Sequence, residues 1–199
     1  MNLVFDAYDI GKEFGHIAQH RAEIVLFLEW AFAQGPLRRI VEIGQGRGGL
    51  TRMFCEIAGD QVIGIDQPSG DGGIGDAEAW MRNERLVRCS PVPFVGILGD
   101  SAAATTREDL AAALNGRPVD LLFIDGDHRG DAPSRDYDHY AACVRPGGIV
   151  AFHDIDSHEH PGVRATFERQ RALTINGQVR DSQEFSIKHQ WGGIGAIVV

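Results

Sequence analysis

Cysteine is scarce in this sequence, and long apolar runs are missing. The cysteines are odd in number, far apart and without the spacing of a metal site (Cys55, Cys89 and Cys143). We therefore expect reduced thiols, as in the cytoplasm. No run approaches the roughly 18 apolar residues that a membrane-spanning helix needs. Residues 1–15 carry acids and lack the basic-then-apolar pattern of a signal peptide. The sequence predicts a cytoplasmic protein with no membrane partner.

Basic residues are also in deficit. The 199-residue chain has 19 Lys and Arg against 28 Asp and Glu, which gives a formal net charge of −9. Proteins that neutralise nucleic-acid phosphates usually carry a basic face, so this charge argues against a nucleic-acid partner. Internal repeats and low-complexity tracts are absent from the sequence as well. The length is typical of one domain.

Short apolar runs alternate with helical patterns along the chain. The apolar runs predict strands at residues 39–44, 61–66, 94–98, 119–125 and 148–153. Helical periodicity predicts helices at residues 17–32, 49–58, 77–87, 109–114, 135–144 and 163–173. Thr105 and Glu108 have the spacing of a capping box, which would open the fourth of these helices. His16 and His20 are assigned to the N-terminal helix and its surface.

This alternation predicts the fold class. Apolar strands that alternate with helices form parallel sheets covered on both faces. Residues 185–189 and 194–199 add a closing hairpin, joined through Trp191. We therefore predict a doubly wound α/β domain with a mostly parallel seven-stranded sheet and a C-terminal antiparallel hairpin. Residues 1–36 would form an N-terminal helical segment, and residues 37–199 the main domain.

A glycine-rich loop follows the first predicted strand. Its sequence, Gly44-Gln45-Gly46-Arg47-Gly48-Gly49, lies beyond the carboxyl end of the strand, where open α/β sheets bind ligands. Glycines there let the backbone approach a ligand and leave helix N–H groups facing it. Gly44, Gly46 and Gly49 also satisfy the dinucleotide fingerprint. A tight strand-to-helix turn would explain the same glycines, so the loop alone leaves these alternatives open.

Acidic residues near the loop favour one alternative. Glu42 precedes the loop by two residues, Asp66 ends the second predicted strand, and Asp100-Ser101 follows the third. From about residue 17 to the last residue, the combination resembles the class I S-adenosylmethionine-dependent methyltransferases. The resemblance implies that Glu42 orders the loop, that Asp66 holds the ribose, and that Asp100 and Ser101 flank adenine. It makes residues 37–199 a methyltransferase domain, with cofactor contacts from Glu42, Gly44, Gln45, Gly46, Gly48, Asp66, Gln67, Asp100, Ser101 and Asp125.

Acids and histidines gather after the fourth and fifth predicted strands. Asp125 and His128 follow the fourth, and His153 and Asp154 end the fifth. Parallel strands deliver their carboxyl ends to one edge of a sheet, so both pairs should face the glycine loop. Carboxylate oxygens suit Mg²⁺, whereas imidazole favours softer metals. A strand alternates its faces, so His153 and Asp154 point apart unless the strand ends between them.

The residues around this cluster narrow the resemblance. Phe123-Ile124-Asp125-Gly126-Asp127-His128, Pro146-Gly147-Gly148 and Phe152-His153-Asp154 are similar to the cephalosporin-hydroxylase-like proteins and the macrolide-sugar O-methyltransferases. The resemblance implies a Mg²⁺ site at Asp125, His153 and Asp154, and a catalytic base at His128 assisted by Asp125. His153 stands where the metal-dependent members have an acidic residue. The need for a metal therefore stays open at this point.

The resulting hypothesis is methyl transfer from S-adenosylmethionine to a hydroxyl group of a small molecule such as a sugar or polyketide, with Mg²⁺ as an additional cofactor if the site holds one. A cofactor-binding protein of the same fold without transfer activity is one alternative. An NAD-linked oxidoreductase is another, and its support is the glycines that fit the dinucleotide fingerprint (Gly44, Gly46 and Gly49). The oligomeric state stays open; homodimers are the commonest oligomers.

Overall fold

The computed structural model describes residues 3–69, 73–175, 178–179, 181–187 and 192–199. Its main sheet has seven strands: β1 (Arg39–Ile43), β2 (Gln61–Asp66), β3 (Phe94–Leu98), β4 (Val119–Ile124), β5 (Val144–His153), β8 (Ser182–Phe185) and β9 (Ile194–Val198). A separate two-stranded sheet consists of β6 (Thr174–Ile175) and β7 (Gln178–Val179). The helices are α1 (Leu3–Phe14), α2 (Arg21–Gln34), α3 (Gly49–Ile57), α4 (Asp76–Cys89), α5 (Ala104–Leu114), α6 (Ala132–Tyr140) and α7 (Pro161–Arg171).

The order of the strands places the ligand crevice. The sheet runs β3-β2-β1-β4-β5-β9-β8, with β1 to β5 parallel and β9 antiparallel to both β5 and β8. The chain leaves β1 for β2 on one side and later returns to β4 on the other. Open α/β sheets bind ligands at such a reversal of strand order. The predicted doubly wound sheet with its C-terminal antiparallel strands is confirmed.

Side chains alternate between two apolar cores, one on each face of the sheet. Ile40 and Leu121 face the first core, which also contains buried residues of α1, α2 and α3. Their neighbours Val41 and Leu122 face the second, with residues of α5, α6 and α7. This is why the strands are apolar throughout, since both faces are covered. Among the helices of the described ranges, none has the length and apolar composition to cross a membrane.

The N-terminal region differs from the predicted single helix over residues 17–32. The chain forms an additional helix, α1, and α2 begins only at Arg21. His20 caps α2, because its Nδ1 accepts a hydrogen bond of 3.2 Å from the Ala22 N–H. His16 and His20 therefore lie in the connection between the two helices and not on a helix. The boundary predicted at residue 36 stays a prediction.

Close backbone contacts hold α1 against the glycine loop. A Cβ on Gly11 would lie 2.5 Å from the Gly49 carbonyl oxygen, and a Cβ on Gly15 would lie 2.4 Å from that of Arg47. A Cβ on Gly49 would in turn lie 2.5 Å from the His16 carbonyl oxygen. Only glycine allows backbones to pack this closely. The loop is thus enclosed between α1 and the sheet.

Two further local predictions were wrong. Helix α5 begins at Ala104, after Ala103, so Thr105 and Glu108 lie inside the helix and form no capping box. The first hairpin strand ends at Phe185, where the sequence predicted that it would begin. Beyond Phe185, the Ile187 N–H donates to Glu23 Oε1 at 2.9 Å. Residues 188 and 189 of that predicted strand, and Trp191, lie outside the described residues.

Two element ends are also shifted. Helix α6 ends at Tyr140, and a 3₁₀ turn spans Ala141–Cys143 before β5 begins at Val144. The sequence assigned residues up to 144 to the helix. The difference arises because Val144 pairs with Val119 of β4, ahead of a register shift in the ladder. Glycine and proline in the following turn had suggested a later start of the strand.

Candidate active site

A cleft of about 990 Å³ opens at the carboxyl ends of β1, β2, β4 and β5. Its walls also include residues 16 and 18–20, which connect α1 to α2. The cleft brings together twelve of the residues singled out in the sequence: Glu42, Gly44, Gln45, Gly46, Asp66, Gln67, Asp100, Ser101, Asp125, His128, His153 and Asp154. Gly48, the thirteenth, is not among the residues that line it.

The glycine loop requires glycine at two positions for different reasons. Gly44 has a φ of +90°, and a Cβ there would lie 2.0 Å from the Asp125 carbonyl oxygen. Gly44 therefore lets β1 and β4 approach each other where the cleft begins. Gly46 has a φ of +49°, and nothing lies within 4 Å of the place where its Cβ would be. Its α-carbon faces open space in the cleft, which a ligand can occupy.

Glu42 supports the loop from inside the core. Its side chain is buried, and Oε2 accepts a hydrogen bond of 2.5 Å from the Thr51 hydroxyl. Burial raises the pKa of Glu42 to about 8, although the Thr51 hydrogen bond acts in the opposite direction. Glu42 is therefore mostly protonated at neutral pH. It links β1 to the first turns of α3 without adding a charge to the cleft.

Arg82 of α4 is a buried cation that the sequence analysis missed. Its Nη1 lies 2.5 Å from Asp66 Oδ2 and donates to the Gly46 carbonyl oxygen at 2.6 Å. Its Nη2 donates to Gln45 Oε1 at 3.0 Å. A sequence signal was available: Ala79, Arg82 and Leu86 are spaced by three and four residues, so the arginine lies on the inward face of the helix.

The carboxyl ends of β2 and β3 present polar groups in fixed orientations. Burial raises the pKa of Asp66, and the hydrogen bond and charge of Arg82 act against that rise. Beyond β3, a hydrogen bond fixes the backbone of Ser101, because the buried Tyr140 hydroxyl donates to the Ser101 carbonyl oxygen at 2.6 Å. Asp100 Oδ1 accepts from the Ala102 N–H at 2.8 Å. These acids and the serine line one end of the cleft.

Asp125 lies at the centre of an acid–histidine cluster. Its Oδ1 lies 3.1 Å from His153 Nδ1 and 3.3 Å from His128 Nε2. Its Oδ2 accepts a hydrogen bond of 2.5 Å from Gln19 Nε2. Burial by itself would raise the pKa of Asp125, but the imidazoles of His153 and His128 lower it to about 2. Asp125 is an ionised carboxylate around which three side chains are arranged.

Asp154 joins this cluster because β5 ends at His153. Asp154 has a φ of +65°, which is unusual for a residue other than glycine and is frequent at functional sites. With this turn, Asp154 Oδ2 lies 3.3 Å from His128 Nε2, and Oδ1 lies 3.4 Å from His153 Nδ1. The alternation of strand faces predicts that His153 and Asp154 point apart unless the strand ends between them. It ends there, and both face Asp125.

The two histidines of the cluster have different surroundings. Burial lowers the pKa of His153, but the Asp125 and Asp154 carboxylates outweigh it and raise the value to about 10. Within the described part of the chain, the buried His153 Nε2 has no hydrogen-bond partner. His128 is more open, and its ring stacks on that of His160 at 4.9 Å. Burial also lowers the pKa of His128, whereas Asp125 raises it, and the net shift is upward.

A metal ion could be held at this cluster. Among the described residues, one donor atom each from Asp125, His128 and Asp154 lies within 4.8 Å of the others. The geometry thus offers His128 as the third donor, whereas the sequence analysis named His153. Two carboxylates and one imidazole form a donor set that divalent cations accept, with the carboxylate oxygens suited to Mg²⁺.

Gln19 is the second functional candidate that the sequence did not reveal. It lies in the connection between α1 and α2, is buried, and reaches Asp125 across the cleft. Its Oε1 has no partner among the residues that the structure describes. Glutamine in a helix connection carries no sequence pattern of its own. Only the folding of the connection over the sheet edge brings this amide to the carboxylate.

Comparison with known proteins agrees with the geometry. A family model described as "Methyltransferase domain" matches residues 41–155. The O-methyltransferase TomG from Streptomyces achromogenes, solved with S-adenosylmethionine, is 17% identical with a TM-score of 0.63; the match covers 100% of this chain and 90% of TomG. MycE from the mycinamycin biosynthetic pathway, solved with Mg²⁺ and S-adenosylhomocysteine, is 16% identical with a TM-score of 0.58. The match covers 97% of this chain and 54% of MycE. At these identities the similarity establishes the fold.

Curated proteins match as well. Among them is an uncharacterised protein, y4gI, from Sinorhizobium fredii, 29% identical over 137 residues. The match covers 62% of this chain but only 14% of that protein. The chain thus corresponds to a small part of that relative.

Proposed function

Because the chain belongs to the methyltransferase-domain family, we propose that it transfers the methyl group of S-adenosylmethionine to a hydroxyl group of a small molecule. The observation that carries the proposal is the cleft itself. It joins the open glycine loop and Asp66 on one side to the Asp125–His128–Asp154 cluster on the other. A cofactor site and a proton-accepting site therefore share one space.

The cofactor half of the proposal rests on the loop, on Asp66 and on the end of β3. The open α-carbon of Gly46 gives room for the methionine portion, and the N-terminus of α3 follows directly. Asp66, at the end of β2, would accept hydrogen bonds from ribose hydroxyls, with Gln67 next to it. Asp100 and Ser101, fixed from below by Tyr140, would flank adenine.

His128 is proposed as the base. Its Nε2 faces two carboxylates, Asp125 and Asp154, so the proton of the neutral imidazole belongs on Nε2 and the free lone pair on Nδ1. In the transfer, the bond between sulfur and the methyl carbon breaks while the bond between the acceptor oxygen and that carbon forms. The hydroxyl proton passes to His128 Nδ1, and S-adenosylhomocysteine leaves. The enzyme mainly contributes the near-attack geometry, because the sulfonium is already activated.

A divalent cation fits the same cluster. Asp125 and Asp154 would hold Mg²⁺ through carboxylate oxygens, and His128 Nδ1 would stay free to accept the hydroxyl proton. When bound, the ion would lower the pKa of the acceptor hydroxyl and orient neighbouring oxygens. Asp125 is already ionised, as a metal ligand must be. His153, which replaces a carboxylate, would not be required as a ligand.

The acceptor is proposed to be a hydroxylated metabolite such as a sugar or a polyketide. The net charge of −9 supports a small molecule over a nucleic acid. TomG is described as acting in tomaymycin synthesis and MycE in the mycinamycin pathway, both of which make small molecules. Action in the cytoplasm and assembly as a homodimer belong to the same proposal.

Calorimetric titration of S-adenosylhomocysteine tests the proposal, first with a chelator and then with Mg²⁺, with NAD as the control ligand. We expect S-adenosylhomocysteine to bind and NAD not to bind. Binding of NAD alone would overturn the methyltransferase assignment and the role of His128. A panel of polyhydroxylated acceptors then distinguishes an enzyme from a cofactor-binding protein, because only the enzyme produces S-adenosylhomocysteine from S-adenosylmethionine.

A further inference from the structure

We propose that Arg82 is a positioning residue that sets the affinity for the cofactor by fastening the glycine loop to Asp66. The inference rests on the proposed function, since it concerns the same cleft. Arg82 is absent from the set of residues that line the cleft, whereas Gln45, Gly46 and Asp66 all line it. The arginine therefore acts through these three residues and not on the cofactor directly.

The guanidinium of Arg82 connects the end of β2 to the loop after β1. One nitrogen, Nη1, serves both Asp66 Oδ2 at 2.5 Å and the Gly46 carbonyl oxygen at 2.6 Å. The other, Nη2, holds Gln45 Oε1 at 3.0 Å. A planar fork can fix a carboxylate and a loop in one arrangement, which a lysine ammonium cannot reproduce. The end of β2 and the loop after β1 are thereby held in one relative position.

Gly48 is adapted to this arginine. A Cβ on Gly48 would lie 2.9 Å from Arg82 Cδ and 3.0 Å from Cγ. Gly48 also has a φ of +79° and directly precedes α3. The third glycine of the loop therefore serves to admit the stem of Arg82, whereas the open space lies at Gly46.

Because the contact between Arg82 and Asp66 is largely buried, its loss should change the protonation of Asp66. Arg82 is 4% exposed, and the side chain of Asp66 is 14% exposed. Without the guanidinium, the Asp66 carboxylate would lose its counter-charge in a buried place. Glu42 on the adjacent strand β1 is mostly protonated at neutral pH and contributes no charge there. The Asp66 carboxyl would then take up a proton more readily. A protonated Asp66 has one oxygen less to accept hydrogen bonds from ribose hydroxyls.

The experiment is calorimetric titration of S-adenosylhomocysteine into wild type, Arg82→Met, Arg82→Lys and Arg88→Met between pH 6 and pH 8. Arg88→Met is the matched control, because Arg88 lies on the same helix but is 71% exposed, with only a distant pair at 3.9 Å to Glu84. We expect Arg82→Met to weaken binding by about tenfold or more, and Arg88→Met by less than twofold. Arg82→Lys should recover part of the loss, because it keeps the charge beside Asp66.

The pH profile separates positioning from a purely structural effect. In Arg82→Met, binding should weaken further as the pH falls towards 6, because Asp66 becomes protonated, whereas wild type should bind evenly. Combining Arg82→Met with Asp66→Asn should weaken binding by less than the product of the single effects and remove the pH dependence. If Arg82→Met fails to fold, Arg82→Lys still tests the proposal, because it keeps the charge but loses the planar fork: its binding should be weaker than that of wild type and even across this pH range, and binding as tight as that of wild type would overturn the role of Arg82.

Failure of the proposed function and failure of the role of Arg82 give different results. If wild type binds no S-adenosylhomocysteine, the proposed function fails. If wild type binds it and folded Arg82→Met binds it as tightly as Arg88→Met does, only the role of Arg82 is overturned. Equal weakening by Arg82→Met at every pH, multiplicative with Asp66→Asn, would also overturn it, because Arg82 would then not act through Asp66.

Discussion

Gln19 and Asp125 are 106 residues apart in the sequence and are joined by a hydrogen bond of 2.5 Å from Nε2 to Oδ2. This bond crosses from the connection between α1 and α2 to the end of β4. It occupies the carboxylate oxygen that His128 and His153 do not contact. The N-terminal connection is therefore part of the candidate active site and not only a cover for it.

Gln19→Ala should destabilise the protein by about 1–3 kcal/mol, because a buried carboxylate loses a charge-assisted donor. Urea unfolding at pH 7 measures the change. Gln34→Ala is the matched control, since the Gln34 amide makes only a local contact of 3.4 Å to the Trp30 carbonyl oxygen. Equal effects of the two substitutions would show that the Asp125 contact contributes nothing to stability.

His128→Ala should lower the rate of methyl transfer by about 10²- to 10⁴-fold, the usual contribution of a positioned base. The affinity for S-adenosylhomocysteine should change little, because His128 belongs to the other side of the cleft. The rate is measured with the acceptor identified in the panel. His139→Ala is the control, because His139 lies on α6 and contacts Arg107 outside the cleft. Comparable losses of rate and of cofactor affinity would rule out a role as base.

Two glycine substitutions in the same loop should differ in what they weaken: one mainly the stability of the fold, the other mainly cofactor binding. Gly44→Ala should destabilise the fold by about 3 kcal/mol or more, because its Cβ would overlap the Asp125 backbone. Gly46→Ala should cost only about 1–2 kcal/mol for its positive φ, yet weaken S-adenosylhomocysteine binding at least tenfold by filling the cleft.

Gly116→Ala provides the control for strain alone. Gly116 has a φ of +74° and nothing within 4 Å of its Cβ position, as Gly46 does, but it lies outside the cleft. Thermal unfolding and calorimetry on the three variants measure stability and binding together. Tight binding by Gly46→Ala would place the cofactor elsewhere.

Glu42 should make stability depend on pH. Its pKa is raised to about 8 in the folded protein from an ordinary value of 4.5. The folded state therefore holds the proton more tightly, and its contribution is present below pH 4.5 and is lost as the pH rises towards 8. Relative to wild type, Glu42→Gln should gain on the order of 4 kcal/mol between these limits. The difference between their urea-unfolding free energies at pH 5 and pH 8 measures this gain.

A difference that stays constant with pH would mean that Glu42 is ionised in the folded protein. Thr51→Val tests the raised pKa of Glu42 in a second way, because the Thr51 hydroxyl is the donor that acts against that rise. Without that hydroxyl, the loss of stability should begin at the same pH and extend to a higher one.

The sheet could be predicted because each strand is marked by residues within a short stretch of the sequence. Each of β1 to β4 is an apolar run with a turn residue at its end, and the ends predicted for β2 and β3 are those of the structure. Alternation with helices then decides the parallel arrangement. Helix α1 escaped prediction because Gly11 interrupts its pattern. That glycine is explained only by its contact with Gly49, which no local pattern contains.

The residues of the candidate site also form two groups, those that the sequence predicts and those that it does not. Asp66, Asp125 and Asp154 follow strands directly, so their position at one edge of the sheet is a consequence of topology. Arg82 and Gln19 belong to a helix and a connection whose orientation depends on packing. Their partners lie 16 and 106 residues away, respectively. No periodicity or motif spans such distances, and for this reason these contacts emerged only from the folded structure.

The packing of glycine against glycine between α1 and the loop has a dynamic consequence. Gly11 and Gly15 contact the carbonyl groups of Gly49 and Arg47 without any intervening side chain. Such contacts have no slack, so the loop can open only if α1 moves with it. Amide protons of both α1 and the loop should therefore exchange more slowly with solvent when the cleft is occupied. The first helix would then report occupancy of a site that it does not touch.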